Sequence, residues 1–129
     1  NKVVLLGSNN EANLLNNSLI NLHNINNLIG KTSFYQAAEY INNCKMFIGN
    51  DSGLTHLALK LNKPIVAIIG GGMWGRFFPF NKSETKLFLN SDIGCNGCHW
   101  NCIHEVKYCL TDLSIKTVIK NINTLLKSL

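Results

Sequence analysis

The chain has 129 residues, 46% of them hydrophobic and 15% charged, which suits one globular domain with a real core. Its net charge of +5 comes almost wholly from scattered lysines, with Arg76 the only arginine; that argues against a nucleic-acid surface and leaves a solvated lysine face or a mild field favouring an anionic ligand. No apolar run reaches the roughly 18 residues that cross a bilayer, and Asn1-Lys2 leads straight into a strand, so neither a membrane span nor a signal peptide is expected. Taken in order, Val3-Val4-Leu5-Leu6 reads as a buried parallel strand ending in Gly7-Ser8-Asn9-Asn10. Over 11–23, Leu14, Leu15, Ser18, Leu19 and Leu22 fall on one helical face. A weakly signalled strand follows over 24–29. Gly30-Lys31-Thr32-Ser33 then turns and caps a helix over 34–44, with Ala37, Ala38, Tyr40 and Ile41 expected inside.

The next strand, over 45–49, runs into Asn50-Asp51-Ser52-Gly53 and a helix over 54–61 marked by Leu54, Leu57, Ala58 and Leu61. Asn62-Lys63-Pro64 stops that helix, and Pro64 opens a strand over 65–69, a position where proline is tolerated. A loop over 70–83, a short strand over 86–89 and an irregular Cys-rich loop over 94–110 follow. A helix over 114–128 closes the chain, with Ile115, Val118, Ile119, Ile122, Leu125 and Leu126 on one side and Lys116, Lys120 and Lys127 largely opposite. Such a basic amphipathic helix either docks on its own domain or lies on a membrane surface. Alternating strands and helices predict an α/β fold with a parallel sheet. Four Gly-containing loops, 7–11, 30–33, 49–53 and 70–76, are expected at the strands' carboxyl ends, where such sheets bind ligands.

The 50–53 turn carries the chemistry. The first N–H groups of the following helix, with its dipole, suit a phosphate. Asp51 at the same tip repels phosphate but accepts hydrogen bonds from sugar hydroxyls, so the ligand is part phosphate and part polyol; the bland alternative makes Asp51 an N-cap. His56, on the helix's first turn, either contacts phosphate or is a satisfied structural residue. Gly70-Gly71-Gly72 fits neither G-x-G-x-x-G nor a P-loop, and reads as a wall of the cleft. Arg76 can bind an anion bidentately or sit in a surface ion pair. Trp74, Phe77 and Phe78 either pack a sugar face or anchor their loop. Glu11 is a first-turn carboxylate, favoured there by the helix dipole.

Asp51-Ser52-Gly53-Leu54-Thr55-His56-Leu57-Ala58, followed by Lys63-Pro64-Ile65-Val66-Ala67-Ile68-Ile69-Gly70, resembles the signature of glycosyltransferase family 9, the lipopolysaccharide heptosyltransferases and their relatives. The likeness runs from about Val3 to about Ile119. It implies a single Rossmann-like domain over 1–129, the C-terminal, donor-binding part of a two-domain GT-B enzyme. It implies that Asp51 holds the donor sugar and that Ser52, Gly53 and Leu54 offer N–H groups to a diphosphate, with the Ser52 and Thr55 hydroxyls adding to them and His56, Gly71 and Arg76 nearby. It implies that Glu11 binds a ribose and that the loop at Thr32 reads an adenine edge. The implied donor is an ADP-heptose or similar nucleotide-diphosphate sugar, and the acceptor is of lipopolysaccharide type. Transfer is inverting and needs no metal. The general base, and an opening strand and helix with a phosphate-binding lysine, lie outside these residues, so no turnover by this chain alone is expected. The implied place is the cytoplasm, at the inner face of the membrane, with peripheral membrane association an open alternative. The rival readings are a non-enzymatic nucleotide-binding or zinc-stabilised module and a redox protein using Cys95 and Cys98.

The second motif is Cys95-x2-Cys98-x3-Cys102-x6-Cys109. Four thiols opened by C-x-x-C suit a structural tetrahedral zinc, with His99 and His104 in reserve. In a reducing cytosol metal is favoured over disulfides. Free or bridged thiols and an iron–sulfur cluster stay open as alternatives. Cys44 reads as a small buried hydrophobe.

Overall fold

The computed structural model describes residues 2–14, 23–79 and 82–129. They form two compact units, Asn1–Asn43 and Cys44–Leu129. In the first, β1 (Val3–Leu5) and β2 (Ile25–Asn27) pair in parallel, Val3 opposite Ile25. The ladder continues into the loops, where the Leu28 N–H donates to the Leu5 carbonyl and the Gly30 N–H to that of Gly7 at 2.9 Å. A 3-10 helix, Asn9–Leu14, follows β1; the rest of the helix expected over 11–23 lies outside the described residues.

Helix α1 (Phe34–Asn43) starts on a capping box. The Ser33 hydroxyl accepts from the Gln36 N–H at 3.2 Å, and the Gln36 side chain accepts from the Ser33 N–H at 2.8 Å, so two otherwise orphaned donors are satisfied reciprocally. Ala37 and Ile41, one turn apart, are its buried residues. The stripe is narrower than expected: Ala38 is half-buried and Tyr40 is exposed.

The second unit is built on three parallel strands in the order β3-β4-β5: β3 (Phe47–Asn50), β4 (Ile65–Ile68) and β5 (Lys86–Leu89). The strands expected from alternation thus form two parallel sheets, one in each unit. The apolar run Ile65-Val66-Ala67 becomes the central strand and is fully buried, as expected of a parallel strand covered on both faces. Burial of each large aliphatic residue there is worth about 1.5–3 kcal/mol. Pro64 lacks an N–H, but its carbonyl accepts from the Phe47 N–H at 2.9 Å, so it begins β4 without breaking the ladder.

Helix α2 (Gly53–Lys60) packs on β3 and β4 and buries Thr55, Ala58 and Leu59. It ends in a Schellman motif. Asn62 is left-handed, at φ 54°, and the Asn62 and Lys63 N–H groups donate to the carbonyls of Leu59 and Ala58. Phe78, whose ring centre lies 5.5 Å from that of Phe88, fills the core beside these elements.

A short helix α3 (Tyr108–Thr111) interrupts the Cys-rich loop, and α4 (Ile115–Ser128) closes the chain. The Ser114 hydroxyl caps α4 by accepting from the Thr117 N–H. Leu125 is only 2% exposed, whereas Ile115 and Ile119 are exposed at 77% and 51%. The apolar face read from the sequence is therefore covered toward the C-terminus and open over the first turns. Among the described residues no helix is long and apolar enough to cross a membrane.

Candidate functional site

Strands β3 and β4 end side by side, with Asn50 opposite Ile68, and the chain leaves both at the same edge of the sheet. This is the carboxyl end of parallel strands, where open α/β sheets bind ligands. A cleft of about 530 Å³ opens there. Asn50, Asp51, Ser52, Gly53 and His56 line one side, while Ile68, Gly70, Met73, Phe77, Trp100 and Leu110 complete it.

The 50–53 turn is held from below. A Cβ on Gly49 would come within 2.6 Å of the Phe47 ring and 2.8 Å of the Thr55 hydroxyl, so only glycine lets the chain pass. Thr55 has no exposed surface, and its hydroxyl donates to the Asn50 carbonyl. It shapes the turn and presents nothing to the cleft, contrary to the donor role expected of it. Ser52 is the N-cap of α2 by backbone geometry but makes no side-chain capping bond. The alternative assignment of Asp51 as N-cap fails, because Asp51 precedes the cap. Its carboxylate stands exposed at the cleft, where it can only accept hydrogen bonds. Nothing lies within 4 Å of the space a Cβ on Gly53 would occupy. The first turn of α2 thus meets the cleft without a side-chain cap, and the helix dipole favours an anion there.

His56 lines the same wall. Its ring lies 4.6 Å from that of buried Phe78, tilted by 32°, and meets Phe77 edge-on at 6.4 Å. The aromatic pair therefore fixes the imidazole. Of the aromatic residues expected to pack a sugar or anchor a loop, Phe77 reaches the cleft, Phe78 belongs to the core and Trp74 lines neither. Leu54 and Arg76 are also outside the lining. The Arg76 guanidinium lies over the Phe77 ring at 5.4 Å, a cation–π contact. Gly71 is buried, facing Asn96 and Cys109 where it was expected to face the donor.

Trp100 was not legible as a site residue. It lies in the Cys-rich loop, far from the turn in sequence, yet it forms one wall of the cleft. A Cβ on Gly72 would meet the indole Cδ2 at 2.3 Å, Cε2 at 2.6 Å and Cε3 at 2.7 Å. All in-plane directions at Cδ2 are bonded, so such an approach comes only through the face of the ring: the indole lies flat on the glycine backbone. The loop is strapped there by the Gly97 N–H donating to the Gly71 carbonyl (2.7 Å) and the His99 N–H to that of Gly72 (2.8 Å). His99 and Trp100 take left-handed φ values of 52° and 65°, which non-glycine residues adopt at a cost of about 1–2 kcal/mol each. Of the glycine triplet read as a cleft wall, Gly70 lines the cleft and Gly72 seats the tryptophan that lines it as well.

The cysteines do not assemble as their spacing suggested. All five are free thiols; Cys95 and Cys98 are half-buried, Cys102 is exposed and Cys109 is buried in α3. Burial and the neighbouring Cys98, Cys102 and Cys109 push the Cys95 thiol up, so the four share one region. Among the described residues, however, no three His, Cys, Asp or Glu side chains are placed to hold one metal ion. The loop keeps its shape through main-chain bonds and a small polar chain, in which Asn90 donates to Asn96 and Asn96 to Asp92. Cys44 is half-buried rather than buried, and burial raises its thiol also.

In the first unit, Glu11 is an exposed first-turn carboxylate, as expected. It accepts from the Ser8 N–H at 2.6 Å and the Ser8 hydroxyl at 2.8 Å, which holds its carboxyl below the usual range. Thr32 is half-buried beside the Ser33 capping box.

Comparison with known proteins bears on the cleft. The model of glycosyltransferase family 9 (heptosyltransferase) matches residues 1–105. Lipooligosaccharide heptosyltransferase 2 of Campylobacter jejuni is 31% identical over 105 residues, which are 81% of this chain and 33% of that protein. Lipopolysaccharide heptosyltransferase 2 of Escherichia coli is 50% identical over 44 residues, 34% of this chain and 13% of its own. Among solved structures, that of E. coli ADP-heptose lps heptosyltransferase II matches with a TM-score of 0.72 at 29% identity, covering 98% of this chain and 37% of that one. A glycosyl transferase family 9 protein of Veillonella parvula, with a TM-score of 0.67 and 21% identity, shares the fold. The chain spans about a third of the length of the Campylobacter relative. With the model matched over most of its length and the same α/β fold in both structures, this chain belongs to glycosyltransferase family 9.

Proposed function

We propose that this chain forms the donor-binding part of a glycosyltransferase that moves a sugar from a nucleotide diphosphate, ADP-heptose by analogy with its relatives, to a hydroxyl of a lipopolysaccharide-type acceptor. The observation that carries the reading is one cleft, at the carboxyl ends of two parallel strands, walled by the Asp51 carboxylate, His56 and the uncapped start of α2. Each part matches a part of the ligand. The acceptor-only carboxylate suits sugar hydroxyls. The backbone N–H groups and dipole of α2 suit a diphosphate, and they stabilise the negative charge it gains as the bond to the sugar breaks. In inverting transfer an acceptor hydroxyl attacks the anomeric carbon as the diphosphate leaves, and a general base takes the hydroxyl proton. That base belongs, on this reading, to residues outside this chain, and no residue here is assigned that step.

Calorimetric titration with ADP, UDP, GDP and ADP-heptose tests the reading, with Asp51→Ala as the probe of the sugar subsite. The expected result is preference for ADP, tighter binding of ADP-heptose than of ADP, and loss of that difference in Asp51→Ala. Hydrogen bonds to a charged partner are worth roughly 1.5–3 kcal/mol, so the loss is about tenfold or more in Kd. Equal binding of ADP-heptose and ADP by the wild type, or an unchanged difference in Asp51→Ala, would overturn it.

A further inference from the structure

We propose that Trp100 is a specificity-determining residue of this cleft: its indole is the platform on which the apolar C–H face of the donor's sugar packs, with Asp51 taking the hydroxyls at the sugar's edge. This rests on the donor-binding reading above and adds a residue from a different part of the chain. Three observations carry it. First, the indole is seated with one face on the Gly72 backbone, where a Cβ would fall 2.3–2.7 Å from three ring atoms, and its outer edge abuts Gly70, where a Cβ would fall 2.3 Å from Cη2, so the ring has no room to sink further. Second, 39% of its surface stays accessible, and it lines the same cleft as Asp51, Ser52 and His56. Third, the loop holds it there at the expense of two successive left-handed residues, His99 and Trp100, tied down by the hydrogen bonds to Gly71 and Gly72. Backbone in this region persists where surrounding structure over-determines it, and an observed outlier of this kind points to a placement that matters.

The chemistry fits a sugar. An aromatic face carries partial negative charge, and the carbon-bound hydrogens of a pyranose are slightly positive, so the two attract while water is displaced. The polar rim of the ring is left for an acceptor such as the Asp51 carboxylate. Small-molecule sites commonly combine an apolar wall with a few placed polar groups in this way. Trp100 would thus set which sugars are accepted, because an axial hydroxyl on the packed face would meet the indole where a C–H should.

The test separates Trp100 from the reading it rests on. ADP and ADP-heptose are titrated into the wild type, Trp100→Phe, Trp100→Leu and Trp100→Ala. The expected result is ADP affinity within about twofold throughout, ADP-heptose affinity within about threefold in Trp100→Phe, and a loss of about tenfold in Trp100→Leu and Trp100→Ala. In a Trp74→Phe background, which leaves Trp100 as the single tryptophan and so the one residue excited selectively at the red edge of the protein absorption, ADP-heptose should change its emission and ADP should not. Full ADP-heptose affinity in Trp100→Leu, with the wild type still preferring ADP-heptose over ADP, overturns the Trp100 assignment and leaves the donor reading standing. Parallel loss of ADP and ADP-heptose also overturns it, because the ring then serves the nucleotide or the loop. A wild type that does not distinguish ADP-heptose from ADP overturns the donor reading, and this inference with it. Trp100→Phe keeps an aromatic ring on the same bed, so a folding defect in the truncated variants does not blunt the test.

Discussion

Replacing Gly72 by alanine probes the junction on which the cleft depends. The added methyl would stand 2.3–2.7 Å from three atoms in the middle of the Trp100 ring, about 1 Å inside ordinary carbon–carbon contact. Neither side yields easily. The Gly72 carbonyl is bonded to the His99 N–H, and the Gly71 carbonyl to that of Gly97. The indole must therefore lift and carry its loop with it. Overpacking of this kind costs about 1–3 kcal/mol. Taking about 2 kcal/mol, a domain of this size loses roughly 8 °C in Tm. Thermal unfolding followed by circular dichroism measures the loss, and a double-mutant cycle assigns its cause. If the clash with the indole is the reason, Gly72→Ala costs far less in a Trp100→Ala background, with a coupling of about 1–2 kcal/mol. A Tm within 1 °C of the wild type for Gly72→Ala, or an undiminished cost in the Trp100→Ala background, would refute the packing argument.

Leu125→Ala should destabilise by about 2–5 kcal/mol because the residue is 2% exposed, whereas Ile119→Ala, at 51% exposed on the same helix, should stay within about 1 kcal/mol; denaturant unfolding of both reads the difference, and equal costs would contradict the docking of α4. Because among the described residues no three His, Cys, Asp or Glu side chains are placed to hold one metal ion, a chelator should leave Tm unchanged, and Cys95 should alkylate slowly near neutral pH and faster as pH rises, since its raised pKa leaves little thiolate; a chelator-induced drop in Tm, or rapid pH-independent labelling of Cys95 by mass spectrometry, would count against this geometry.

The elements were readable because their signals are local. The continuous apolar run at 65–69 predicts a doubly covered strand, and β4 is one. Ser33 and Ser114 stand where helices begin, and both cap. Asn62-Lys63-Pro64 stops α2 through a left-handed Asn62. The strand-turn-helix around Asp51 was legible for the same reason: strand period, turn residues and helical spacing all lie within fifteen residues of one another. Periodicity reports what an element can bury, and only packing decides how much of it is buried. The stripe on α4 is therefore continuous in sequence but half open in the fold, and Tyr40, in phase on α1, is exposed.

What the sequence by itself determined is the order of strands and helices, the strand-turn-helix that carries Asp51, and the family likeness those residues carry. Tertiary structure alone decided that Thr55 is sealed inside, that the Arg76 guanidinium lies over the Phe77 ring, that the four clustered cysteines share one region, and that Trp100 lines the same cleft as Asp51. The physical reason is that a loop's path depends on main-chain hydrogen bonds and glycine clearances supplied by a segment more than twenty residues away, and nothing in the loop's own residues records which backbone will receive it.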